Sequence, residues 1–172
     1  LEGKETIQFP AVLGHEAAGM VEAVGKGVLL VKEGDSVVLS WTPACGKCPA
    51  CIQGQVHLCQ GINMTTEGKG PLSQAGEGLD RFMGLGAFCE RIVVPEAMTI
   101  AVETGLSPHH ACLIGCGMTT GFGAAVNTAN IRWGETVAVL GCGGVGLAAI
   151  QGARIAGATR IFAVDPIEER RQ

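Results

Sequence analysis

Apolar and polar positions alternate through much of the first hundred residues, with glycine and charged residues as punctuation. Ala17 to Val24 and Ser36 to Trp41 are two apolar stretches, and Glu33-Gly34-Asp35 supplies a turn between them. This part is expected to be antiparallel β. The alternation is lost from Ala44 to Cys59, where cysteine takes over. Thr65 to Asp80 mixes glycine, proline and polar side chains, as a surface loop does. Strand character returns from Phe88 to Pro95, around Ile92, Val93 and Val94.

The texture then changes. Ser107-Pro108 marks a helix start, with Ser as N-cap and Pro where its missing N–H costs nothing. Met118 to Asn127 is a helix of small residues. Gly134-Glu135 turns the chain into Thr136–Leu140, a short apolar run of the buried-strand type. Gly144 to Ala156 follows as a helix, and Arg160 to Asp165 as a second buried strand. A β-rich part followed by a βαβ unit implies two domains with a seam near Thr120, residues 1–120 and 121–172. The fold class is α/β with a β-rich part.

Composition narrows the function classes. Hydrophobic residues are 47% of the 172 positions, so the chain has material for a core and is not disordered. Glycine fills 27 positions, without the three-residue period of collagen. A net charge of −4 offers no electrostatic case for nucleic acid. The longest run without a polar side chain, Val137 to Ile150, is broken by glycines and falls short of the roughly 20 residues that a membrane span needs. Eight cysteines in 172 residues are too few for a disulfide scaffold. With five of the eight placed as metal ligands, a reducing cytoplasm is the expected location.

Gly141-Cys142-Gly143-Gly144-Val145-Gly146 fits G-x-G-x-x-G. That pattern is weak alone, but here it follows an expected strand and opens an expected helix, as a dinucleotide fingerprint requires. Gly141 permits the tight turn, Gly143 admits a pyrophosphate close to the backbone, and Gly146 allows close helix–strand packing. The helix start presents free N–H groups to phosphate. Asp165 ends the second strand, where an acid accepts bonds from ribose hydroxyls and repels a 2′-phosphate, favouring NAD over NADP. Asp165 also reads as an ordinary strand-end cap beside Pro166.

Cys45, Cys48, Cys51 and Cys59 have the spacing C-x2-C-x2-C-x7-C. Four thiolates from one segment can close a tetrahedral shell around Zn²⁺, with Zn–S bonds of about 2.3 Å. Disulfides sit poorly beside an intracellular type of nucleotide fold. A ferredoxin-type cluster would place the fourth cysteine after three residues with proline behind it, and neither feature is present. A closed four-cysteine site is structural. His57 is surplus to it and reads as a surface residue. Cys89 and Cys112 read as core residues, and His109 and His110 as exposed.

Gly14-His15-Glu16, the cysteine cluster, Leu113-Ile114-Gly115-Cys116-Gly117-Met118-Thr119-Thr120-Gly121-Phe122-Gly123 and the glycine turn occur in one order. In this order the chain resembles the zinc-dependent alcohol dehydrogenases of the medium-chain dehydrogenase/reductase superfamily, from Phe9 onward. Its resemblance is closest to the branch of thiol-dependent formaldehyde dehydrogenases (class III) and nicotinoprotein-like alcohol dehydrogenases. The resemblance implies a partial GroES-like catalytic domain, with a structural zinc lobe at 45–59, followed by the first βαβ unit of a Rossmann domain. It implies His15 and Cys116 as ligands of a catalytic zinc, with Glu16 as the acid beside that metal. Thr120 and Val145 match positions against the nicotinamide ring, and Trp41, Phe82 and Met83 match the substrate channel. Arg170 is the candidate basic partner of the ribose, and Gly144 completes the phosphate turn.

The implied activity is oxidation of a primary or secondary alcohol to aldehyde or ketone by hydride transfer to NAD. The implied cofactors are Zn²⁺, one structural and one catalytic, and NAD; a homo-oligomer is expected at full length. Oxidation of S-(hydroxymethyl)glutathione or of the mycothiol adduct of formaldehyde is an alternative, and a non-catalytic zinc-binding fragment is another. The family's third catalytic ligand is a cysteine ahead of Gly-His-Glu, and residues 1–13 contain none. Truncation is the expected reason, and the 172 residues alone are expected not to turn over substrate.

Overall fold

The computed structural model describes residues 7, 9–60, 73–103 and 105–171. Contacts divide the chain into two compact units, Leu1–Gly115 and Cys116–Gln172, slightly ahead of the seam expected at Thr120.

The first unit is built on short strands. β2 (Ala18–Met20) and β7 (Thr99–Ala101) flank β3 (Ser36–Leu39), both antiparallel to it. Ala18 faces Val38 and Leu39 faces Thr99 across the ladders. The expected strand pair and its turn are therefore present, with shorter strands than the apolar runs. β3 is a continuous apolar run because it is central. Val37 and Leu39 join Leu85 and Met98 in the core, while Val38 between them is also buried. Ala17, Val21, Val31, Trp41, Ile92 and Val94 pack around that core.

Two expectations need correction. Within the expected loop, residues 65–72 lie outside the described part, and the remainder is not irregular. β4 (Ser73–Gln74) and β5 (Glu77–Gly78) form a hairpin whose central Ala75 and Gly76 both have positive φ. Two such residues match the twist of paired strands, and Ala75 gives little sequence signal for it. After Leu79, β6 (Asp80–Arg81) pairs in parallel with β1 (Ala11–Val12). The second correction concerns Phe88–Pro95, which forms no ladder among the described residues. Its alternation holds, since Ile92 and Val94 pack on the core and Val93 is exposed. The Val93 carbonyl, however, accepts from a side chain, Arg81 Nη1 at 2.9 Å, in place of a neighbouring strand.

Helix α1 (Pro49–Ile52) lies in the cysteine lobe, and α2 (Pro108–Ala111) has Ser107 as N-cap with proline in its first turn. The Ser107 hydroxyl meets His110 Nδ1 at 3.0 Å, so it does not cap a backbone N–H.

The second unit begins with α3 (Gly117–Gly123), which continues as a π-helical turn over Ala124–Thr128. β8 (Thr136–Leu140) and β9 (Arg160–Val164) pair in parallel, joined by α4 (Gly144–Ile155). This is the βαβ unit read from the periodicity, but neither strand is buried as expected: every residue of β8 and β9 is exposed or half-buried, Leu140 and Phe162 among the exposed. The parallel register requires a crossover, and α4 supplies it.

Candidate metal lobe and dinucleotide turn

Cys45, Cys48, Cys51 and Cys59 converge because their segment is folded by tight local turns. Cys48 is the N-cap of α1, and Ile52 N donates to its carbonyl at 3.0 Å. Gly54 N and Cys59 N close further turns onto Cys51 O and Val56 O. The four sulfurs lie within 4.8 Å of one another, with Cys45–Cys51 at 4.0 Å and Cys48–Cys59 at 3.9 Å. A tetrahedron of Zn–S bonds has edges of about 3.8 Å, so the donor set and its spacing fit Zn²⁺. Backbone N–H groups of Cys45 and Cys48 point at Cys59 Sγ and Cys45 Sγ, at 3.2 and 3.3 Å, and stabilise negative sulfur.

Two of the thiols are shifted in opposite directions. Backbone N–H donation from Cys51 and Gln60 pulls Cys48 down to about 6, while burial and the neighbouring thiols push Cys51 up to about 11. Four thiolates held this close require a cation between them. His57 is exposed beside the cluster, as expected.

His15 lies in the segment between β1 and β2, half-buried. Its ring meets Phe82 edge-on at 5.7 Å between centroids and Trp41 at 6.4 Å. Three residues expected in one site, far apart in sequence, are thus brought together. Gly14 ahead of His15 has φ +91°, and the space where a side chain would stand is taken by the Phe88 ring. Phe88 N and Ala87 N also donate to Leu13 O and Gly14 O, at 2.9 Å each. Phe88 opens an apolar stretch in the sequence, and only the tertiary fold brings it against Gly14. Met83 follows Phe82 with φ +52°, an uncommon conformation for a residue with a side chain. Glu16 is half-buried next to His15.

Among the described residues, the cysteine lobe is the only group of three or more potential ligands gathered at metal-binding distance. Cys116 stands in the second unit as the N-cap of α3, and Thr120 N donates to its carbonyl at 2.8 Å. Of the other cysteines, Cys112 is half-buried, while Cys89 is exposed, contrary to the core position expected for it. The Cys89 thiol lies against the carbonyls of Gly86 and Arg91, at 3.2 and 3.1 Å, so its polar atom is satisfied without burial. His109 and His110 are exposed.

The glycine turn has the geometry that its residues dictate. Gly141 has φ +93°, and a Cβ at Gly146 would collide with Gly141 O. A Cβ at Gly143 or Gly144 would meet nothing within 4 Å, leaving open space beside the backbone there. Cys142, in the variable position, is buried.

Asp165 is 5% exposed and ties the second strand to the turn. Its Oδ2 accepts from Cys142 N and its Oδ1 from Ile167 N, both at 2.8 Å. The second bond is the strand-end cap across Pro166; the first joins the carboxylate to the glycine turn. These N–H donors, Cys142 foremost, hold the carboxyl below the usual range against the opposing effect of burial, with help from Arg170 and Arg171. Arg170 Nη1 stands 3.8 Å from Oδ2, and Arg171 Nη1 donates to the Asp165 carbonyl. Arg171, adjacent in sequence to the expected partner Arg170, is thus a second basic contact of Asp165.

A cysteine lobe on a small β unit, followed by a βαβ unit with a glycine turn, defines a class of metal-holding dehydrogenase fold. Residues 1–104 match the family described as the alcohol dehydrogenase GroES-like domain, and the chain belongs to that family. The chain is 46% identical to S-(hydroxymethyl)glutathione dehydrogenase of Saccharomyces cerevisiae, over 95% of this chain and 44% of that protein. It is also 46% identical to alcohol dehydrogenase class-3 of Myxine glutinosa, over 91% of this chain and 43% of that one. Among solved structures, an alcohol dehydrogenase zinc-binding domain protein from Burkholderia ambifaria matches with TM-score 0.84 and 38% identity, covering 96% of this chain and 46% of that chain. Benzyl alcohol dehydrogenase from Acinetobacter calcoaceticus matches with TM-score 0.82 and 33% identity, covering 98% and 47%. The chain thus spans under half the length of these relatives. Its fold is a partial GroES-like domain followed by a βαβ unit.

Proposed function

We propose that the protein carrying this chain oxidises a primary or secondary alcohol to an aldehyde or ketone, with NAD as hydride acceptor. The observation that carries the reading is the coincidence of a Zn-compatible four-cysteine lobe and an Asp165-braced glycine turn in a chain of this family. When bound at His15 and Cys116, zinc would act as a Lewis acid that makes an alcohol oxygen easier to deprotonate. Trp41 and Phe82, set edge-on to His15, would hold the substrate's carbon skeleton and exclude water. Gly141, Gly143, Gly144 and Gly146 would let the backbone reach the pyrophosphate, and Asp165 with Arg170 would bind the adenosine ribose. Thr120 and Val145 would bear on the nicotinamide, and Glu16 and Met83 would complete the metal surroundings and channel.

The test is NADH formation by the full-length protein on addition of alcohol. Cys116→Ser should abolish it while the lobe keeps its zinc; undiminished turnover would sink the assignment. A second reading, oxidation of S-(hydroxymethyl)glutathione, is favoured by the name of the Saccharomyces cerevisiae relative. The mycothiol adduct is the same chemistry with another thiol. Comparing turnover on simple alcohols and on each formaldehyde–thiol adduct separates them. A protein that holds lobe zinc yet binds no NADH would instead be a non-catalytic zinc-binding module. We further propose that the protein works in the cytoplasm as a homo-oligomer, with no nucleic-acid or membrane partner; among the described residues, no helix is long and apolar enough to cross a membrane.

A further inference from the structure

Helices α3 and α4 of the second unit approach more closely than ordinary side chains allow. A Cβ at Gly121 would run into the carbonyl oxygen of Val145, and would stand 2.6 Å from Ala148 Cβ and 2.9 Å from Ala149 N. The approach is reciprocal. A Cβ at Gly152 on α4 would stand 3.0 Å from both Ala125 Cβ and Phe122 O. Gly121, Ala148 and Gly152 are all buried, so no solvent gap can absorb an added atom. Two of the three atoms facing Gly121 are backbone and cannot swing aside as a side chain does, so a methyl group there must move one helix against the other.

That displacement falls at a particular place. Gly121 directly follows Thr120, and the carbonyl it meets belongs to Val145, in the first turn of α4. Both Thr120 and Val145 are exposed, and the open space around Gly143 lies in the same glycine turn. Of the groups placed for the other half of a dinucleotide, the start of the glycine turn and Asp165 are tied by the Cys142–Asp165 bond, in which α3 takes no part.

We propose that Gly121 is a positioning residue: its missing side chain sets the spacing between Thr120 and Val145, and so the seating of the nicotinamide half of the cofactor. This rests on the reading above that the glycine turn binds NAD. The experiment compares NADH with ADP-ribose, which lacks the nicotinamide, as ligands of the full-length protein. For Gly121→Ala, NADH affinity should fall about tenfold or more, which is at least 1.4 kcal/mol, while ADP-ribose affinity stays within about twofold of the parent. Gly152→Ala loads the same helix pair away from Thr120. It should lower Tm but change both ligands equally. If Gly121→Ala does not fold, Ala148→Ser applies pressure from the facing wall with one added atom, and should shift the ratio in the same direction. Equal losses of both ligands in the variant that folds, or unchanged NADH binding, overturn the proposal. A parent protein that binds neither ligand overturns the NAD reading itself, which is a separate result.

Discussion

Asp165 shows how one buried side chain can tie a strand end to a turn. A carboxylate with two backbone N–H donors and two nearby arginines is better stabilised charged than protonated. Its folded pKa lies below the unfolded value, so its stabilisation is fully present above the unfolded value and is lost as pH falls through the folded one. Thermal melts across acidic pH should therefore show Asp165→Asn less stable than the parent at neutral pH, with the difference closing as the medium is acidified. A constant difference at every pH would remove the charge from the account. The same substitution should narrow the preference for NAD over NADP, because the negative group that repels a 2′-phosphate is gone. Steady-state kinetics with both cofactors measures this. The carboxylate's place was legible from its position at a strand end. Its tie to Cys142 was not, since nothing in a linear pattern shows which backbone N–H will face it.

Among elements, the cysteine lobe is the clearest from sequence and the least dependent on a core. Its spacing specifies the ligand set, and Pro49 and Gly54 specify the turns, so local chemistry suffices to bring the sulfurs together. Cys48→Ser should reduce bound zinc by about one per chain, since three thiolates no longer close the shell. Metal analysis after gel filtration reads the loss. Acid should do the same in the parent, because protons compete with metal for the thiolates and affinity falls as pH drops. The β elements behave differently. Leu85, fully buried in the core with Val37, Leu39 and Met98, follows a turn with no strand signal of its own. Truncation to alanine there should cost about 2–5 kcal/mol in chemical denaturation. Phe88–Pro95 has the alternation of a strand without its ladder, because side-chain pattern specifies which residues turn inward and leaves the backbone partner open.

Across the whole molecule, the cysteine cluster and the glycine turn lie in different units. Hydrogen exchange on the full-length protein should separate them. NADH should slow exchange in residues 141–146 and 165–167, whereas a zinc chelator should accelerate it in residues 44–59. A chelator effect spread evenly over both regions would contradict local stabilisation by the lobe metal. This division follows from where the bonds lie: the Cys142–Asp165 tie is contained in one unit and the cluster of sulfurs in the other.

Sequence by itself determined the parts whose chemistry is local. The zinc lobe, the glycine turn, the βαβ periodicity of Thr136 to Asp165 and the Ser107-Pro108 helix start all depend on residues close together in the chain. Only the tertiary structure decided what depends on distant neighbours. It set the rings of Trp41 and Phe82 edge-on to His15 and placed Phe88 in the space left by Gly14. It paired β6 with β1 in parallel and pressed Gly121 against Val145. Local conformation is encoded in residue type and spacing, whereas these contacts arise when separate segments compete to bury the same apolar surface, and their outcome is readable only once the chain has packed.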